Sequence, residues 1–213
     1  MSLLADVLEL EFQQFQSVQG LEGRAACQDD EESFRLHRRS QFLVWDSRTL
    51  SSWHADLLLA GRSGRNLVQE KYARMMEWTD PEVFRSFASL LPVVPRDVRY
   101  FVEEMVELNL RCRAELDARY PGLAARSRPP RQGGEGLPGT SFEVYLRGEA
   151  LTYSRETAAS LLQTLRDYES QGENPVALTL LHTVRALGFR DLAEAEQQAV
   201  RLERPVPGGA PPG

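Results

Sequence analysis

Cysteine and histidine are scarce in this sequence and lysine is nearly absent, and each shortage removes a class of protein from consideration. The two cysteines, Cys27 and Cys112, stand far apart and without metal-ligand spacing, which argues against a disulfide framework and fits a reducing compartment. The three histidines, His37, His54 and His182, never fall three or four residues apart, and no Glu-x-x-His pair occurs. No zinc or di-iron site is therefore expected, and haem or zinc held by Cys27 with His37 would need a special loop geometry. Long apolar runs are missing too. Met1-Ser2-Leu3-Leu4-Ala5-Asp6 has no basic lead-in, and acids interrupt the apolar residues within the first ten positions. The segment reads as neither a signal peptide nor a membrane span, which makes the cytoplasm the default location.

Positive charge is in deficit: the formal net charge is -6, which disfavours nucleic acid and anionic membranes as partners. One stretch runs against that balance, Arg126-Ser127-Arg128-Pro129-Pro130-Arg131, but no aromatic residue is interleaved, and it reads as a solvated linker. Of the 25 basic residues only Lys71 is a lysine. A lone lysine on an arginine background hints that a guanidinium does not serve at that position. The remaining composition, 42% hydrophobic and 26% charged over 213 residues, suffices for one packed core.

What is present is helical periodicity, with strand-like alternation nearly absent. A first helix is predicted from about Ser2 to Val18, its apolar row Leu4, Val7, Leu8, Phe15 and Val18 interrupted by Glu11. After a glycine-bearing loop, Asp29 or Asp30 caps a second helix whose face carries Phe34, His37, Arg38, Gln41, Phe42 and Trp45. Asp46 opens a third, Gly61 to Gly64 close it, and Asn66 opens a fourth in which Val68, Lys71, Tyr72, Met75 and Met76 share a face. Asp80-Pro81-Glu82 starts a short helix, and Pro95 opens a long one to about Arg119 that carries Cys112 as a small buried hydrophobe. Residues 121–139 read as a flexible Pro/Gly-rich connection and 204–213 as a disordered tail.

The chain then repeats itself. Sliding it by 108 positions places Ser33-Phe34 on Ser141-Phe142, Arg39 on Arg147, Leu43 on Leu151 and Thr49 on Thr157. The same shift places Ser52 on Ser160, Leu57 on Leu165, Gly64 on Gly172, Asn66 on Asn174 and Val68 on Val176. Composition alone would give roughly three such identities in a window of this length. The expected fold class is therefore all-α, one helical domain over 1–203. It is a bundle of two duplicated helical units, at about 30–78 and 140–187, joined by the long helix and the linker. If the two units face one another, Gln41, Glu149, Arg39 and Arg147 converge near a pseudo-two-fold axis, where a carboxylate needs a partner.

Three segments, Gly23-Arg24-Ala25-Ala26-Cys27-Gln28, Arg38-Arg39-Ser40-Gln41-Phe42 and Glu70-Lys71-Tyr72-Ala73-Arg74-Met75-Met76, together with Tyr145-Leu146-Arg147-Gly148-Glu149 and Thr152-Tyr153-Ser154, resemble the bacterial domain-of-unknown-function 4125 family. The resemblance spans about residues 5 to 200 and brings with it no assigned activity, cofactor or catalytic residue.

Ionisable side chains on core-facing rows suggest an enzyme acting on a small molecule between the two units. Glu11, Glu70 and Glu149 are the candidate acids and bases, and Lys71 the candidate Schiff-base or proton-transfer group. Arg39, Arg147, Gln41 and Tyr72 are candidates for holding an anionic substrate. Cys27, near Arg24 and before a helix start, is a candidate nucleophile. The competing readings are a structural polar network that docks the units and a non-catalytic module that binds a protein partner or a second copy of the chain. No metal is expected, and no cofactor is specified.

Overall fold

The computed structural model describes residues 2–20, 23–132 and 140–203, apart from the side chains of Ala26 and Cys27. These residues form eleven α-helices: α1 (Leu3–Gln16), α2 (Glu31–Phe42), α3 (Ser47–Arg62), α4 (Leu67–Thr79), α5 (Pro81–Phe87), α6 (Arg96–Arg119), α7 (Pro121–Ala125), α8 (Phe142–Ala150), α9 (Arg155–Ser170), α10 (Pro175–Ala186) and α11 (Leu192–Glu203). No strand is found among the described residues, so the fold is all-α. No described helix is long and apolar enough to cross a membrane.

Local sequence starts and stops these helices. The side chains of Asp30, Asp46, Asn66, Ser141, Ser154 and Asn174 each accept the backbone N–H three residues on, a cap that contributes about 1 kcal/mol. α3 and α9 are followed by Gly64 and Gly172, at φ +71° and +69°, a left-handed turn for which glycine is the natural residue.

Two helices act as flanks. α1 packs on α2, α3 and α4, while α6 packs on α8, α9 and α10. Between the flanks the elements cross over, with α4 lying on α8, α10 on α2, and α3 along α9. The core at this crossing includes Val7, Phe42, Trp53, Leu57, Val102 and Met105, none more than 2% exposed. A smaller cluster of Leu116, Val184, Leu192 and Ala195 holds α10 and α11 to the end of α6.

The α3–α9 seam carries hydroxyls. Thr49 Oγ1 lies 2.8 Å from Ser160 Oγ and Ser52 Oγ lies 2.7 Å from Thr157 Oγ1. Asp56 Oδ2 accepts the Thr157 hydroxyl at 2.7 Å. Three contacts join residues 108 positions apart: Gln41 Nε2 donates to Glu149 at 3.1 Å, the Trp45 and Tyr153 rings meet edge-on at 5.9 Å, and Arg48 reaches Glu156 at 3.3 Å.

The expected flexible connection at 121–139 is corrected in its first part. Pro121 sits at the first position of α7, where its missing N–H is no loss, and Glu196 of α11 accepts the N–H groups of Gly122 and Leu123 at 2.8 Å. The chain is then tied to the start of α8, where Phe142 N–H bonds Pro129 O and Glu143 N–H bonds Pro130 O. Residues 133–139 and the expected tail at 204–213 lie outside the described residues.

Candidate functional site

The site is built around a buried chain of charges. Glu11, in the apolar row of α1, receives a two-pronged bond from Arg38 of α2, Nη2 at 2.5 Å and Nε at 2.7 Å, and Trp53 Nε1 donates to it at 3.1 Å. The free prong of the same guanidinium, Nη1, reaches Gln41 Oε1 at 2.5 Å and both oxygens of Glu149 at 3.1 Å. Lys71 Nζ closes on Glu149 at 2.5 Å, and the Tyr153 hydroxyl donates to it at 2.9 Å. Glu11, Arg38, Lys71 and Glu149 are all less than 9% exposed. Taking charges out of water in this way is tolerable only because each carboxylate oxygen finds a donor.

Lys71 and Glu149 come from different helices, α4 and α8, and a glycine lets them meet. A Cβ at Gly148 would land on Met75 Cγ and lie 3.0 Å from the Lys71 carbonyl. One turn before Glu149, Tyr145 lies with its ring centroid 3.6 Å from Lys71 Nζ and 4.9 Å from the Arg128 guanidinium. Two cations thus lie close to one phenol ring.

Electrostatics follow from this placement. Burial pushes the Glu149 carboxyl up, but Arg38 and Lys71 outweigh it and hold the group well below the usual carboxylate range. The Lys71 ammonium lowers the Tyr145 hydroxyl, against opposing contributions from burial and Glu149. Tyr153, buried against Glu149, moves the other way. The two phenols therefore differ in acidity, and only Tyr145 borders the cavity. That cavity, about 610 Å³, opens between α1, α2, α4 and α8, with Glu11, Phe34, Lys71, Tyr72, Tyr145 and Glu149 in its wall and His37 and Arg128 also lining it. Its size is that of a small-molecule pocket.

The family described as "Protein of unknown function (DUF4125)" matches residues 1–197. The chain belongs to that family. No curated protein and no solved structure matches it.

In this DUF4125 protein the structure brings together Glu11, Lys71, Gln41 and Glu149 from the sequence candidates and places Tyr72 in the same cavity wall. It sends three others elsewhere. Arg39 is exposed, and the place expected for it is taken by its neighbour Arg38. Arg147 is bonded to Glu103 and Glu143 and lies over the Trp78 ring, because residues two apart on a helix face different ways. Glu70 is held in a two-pronged pair with Arg65, both bonds 2.7 Å. The side chain of Cys27 lies outside the described residues. Cys112 is half-buried, and burial raises its thiol.

Sequence reasoning passed over Arg38, Trp53, Arg128, Tyr145 and Tyr153 as site residues. A signal existed for Arg38, since Phe34, Arg38 and Phe42 are spaced four apart and so share a row. No signal existed for Arg128, which sits in a segment without periodicity. Among the described residues no three His, Cys, Asp or Glu side chains cluster as metal ligands.

Proposed function

We propose that this protein is an enzyme acting on a small, anionic molecule, and that Tyr145 transfers the proton. The observation that carries this reading is a phenol in a cavity wall with two cations over its ring, Lys71 at 3.6 Å and Arg128 at 4.9 Å from the centroid. A tyrosine made more acidic is a general base or acid nearer neutral pH than an ordinary one. In this reading Lys71 stabilises the phenolate, and Glu149 positions Lys71. Arg38 and Gln41 hold Glu149 in turn. Glu149 itself is a poor base, being held ionised by two cations. Arg128 has only the Thr140 carbonyl as a hydrogen-bond acceptor and no carboxylate partner among the described residues, which leaves it to receive the anionic group of a substrate.

A second feature favours catalysis over simple docking. We infer that the chain is a duplication, on the strength of the contacts between residues 108 apart. Asn66 bonds the carbonyl of Gln14 and Asn174 that of Cys112, which equates α1 with α6 and Glu11 with Asn109. The position related to the charged site then holds Asn109, Leu146, Leu161 and Thr179 in place of Glu11, Arg38, Trp53 and Lys71. A network needed only to dock two like units would be wanted on both sides, yet the related position carries none of these four charged or indole side chains.

The experiment is a titration of tyrosine ionisation by near-ultraviolet absorbance. Wild type should show one phenol ionising below the others, a component lost in Tyr145→Phe and moved up in Lys71→Met. An unchanged curve for Tyr145→Phe sinks the assignment. The rival reading, a structural core with no turnover, is favoured by how fully the Glu11 and Glu149 oxygens are satisfied. It predicts that no substrate screened against wild type is consumed and that Tyr145→Phe changes nothing but stability.

A further inference from the structure

A second hollow, of about 190 Å³, lies between the α3–α4 turn and the segment 92–95, walled by Asp56, Leu59, Arg65, Arg74, Val94 and Leu151. Arg74 is only 6% exposed. Its Nη2 donates to the Pro92 carbonyl at 2.8 Å, while its Nε is buried without any partner. No carboxylate pairs with it among the described residues. Glu70, one turn earlier on α4, has both oxygens taken by Arg65. Asp56 also acts on Arg65, and Glu77 on Arg74, while Arg99 and Arg65 add positive charge beside Arg74, which alone of the two guanidiniums has no carboxylate bonded to it among the described residues. A buried guanidinium with an idle donor is costly to keep unless something else completes its shell.

We propose that this hollow is a binding site for an oxyanion the size of phosphate, with Arg74 and Arg65 as its donors. The volume is below the roughly 300 Å³ at which pockets for drug-sized ligands begin, which suits a small ion better than a nucleotide. Guanidinium forks match the geometry of phosphate and carboxylate oxygens. Leu59 and Val93, 65% and 92% exposed, leave the entrance apolar and open. The hollow adjoins the cavity around Tyr145 through Leu67 and Thr152 and shares none of its charged groups.

The test is thermal melting of the full chain in inorganic phosphate against chloride at matched ionic strength. At ten times Kd, phosphate should raise the melting temperature by about 3–6 °C. Arg74→Met should lose the rise and, in chloride, melt no lower than wild type, because it removes an under-neutralised buried charge. Arg65→Gln, a change at a side chain 41% exposed, should weaken the response and serves if Arg74→Met does not fold. Arg128→Gln should keep it. A response that survives Arg74→Met, one abolished by Arg128→Gln instead, or none in wild type overturns the proposal without touching the reading of Tyr145.

Discussion

Glu149 shows how much of this protein's behaviour is decided atom by atom. Its carboxylate has four donor side chains and 4% exposure, so Glu149→Gln strands Lys71 and part of Arg38, and urea unfolding should show a loss of about 3–5 kcal/mol. The same group sets an acid limit. Its folded-state ionisation lies below the unfolded value, so the unfolded chain takes up the proton first, and stability falls as pH drops through the ordinary glutamate range. Melting curves across that range should show a steeper acid loss for wild type than for Glu149→Gln. Neighbouring arginines make a sharper comparison. Arg38→Ala should cost about 3–5 kcal/mol by leaving two buried carboxylates short of a donor, while Arg39→Ala, on the exposed side of α2, should stay within about 0.5 kcal/mol. Equal effects would contradict the assignment of Arg38 as the buried member. That distinction was readable in the four-residue spacing of Phe34, Arg38 and Phe42. The pairing of Lys71 with Glu149 was not, because it depends on how two distant helices approach.

Helices were the legible part of the sequence, since caps and breakers are local. Asp46, Asn66 and Pro81 mark starts that the structure keeps. α7 was hidden by composition: Pro121, Gly122 and the following arginines look like linker, and what makes the segment helical is the Glu196 carboxylate of α11 reaching its first N–H groups. A remote partner of that kind leaves no local trace. The close approach of α4 and α8 was equally silent, resting on one glycine within a helix. Gly148→Ala should push the two helices apart and destabilise by about 1–3 kcal/mol. It should also reverse part of the Tyr145 acid shift by moving Lys71 away. A variant as stable as wild type, with the tyrosine titration unchanged, would show that the approach does not depend on the missing side chain.

The whole molecule is organised by crossing. α4 covers α8 and α10 covers α2, so the residues before the connection and those after it each leave apolar faces that only the other part covers. Cutting the chain between Gln132 and Thr140 should therefore yield fragments that fold only together. Co-expressed, they should elute as one species and melt in one transition; alone, each should lack a cooperative melt by circular dichroism. A native-like transition in the first fragment alone would refute this. Which distant helices cover one another was not legible in the sequence, because caps and apolar rows are local features.

The lone lysine has a practical corollary. In the folded chain the only ε-amine is walled in by a carboxylate and a tyrosine, so reagents that attack amines find the surface blank apart from the chain's terminal nitrogen. Chemical marking of position 71 thereby becomes a clock that ticks faster when α4 and α8 part.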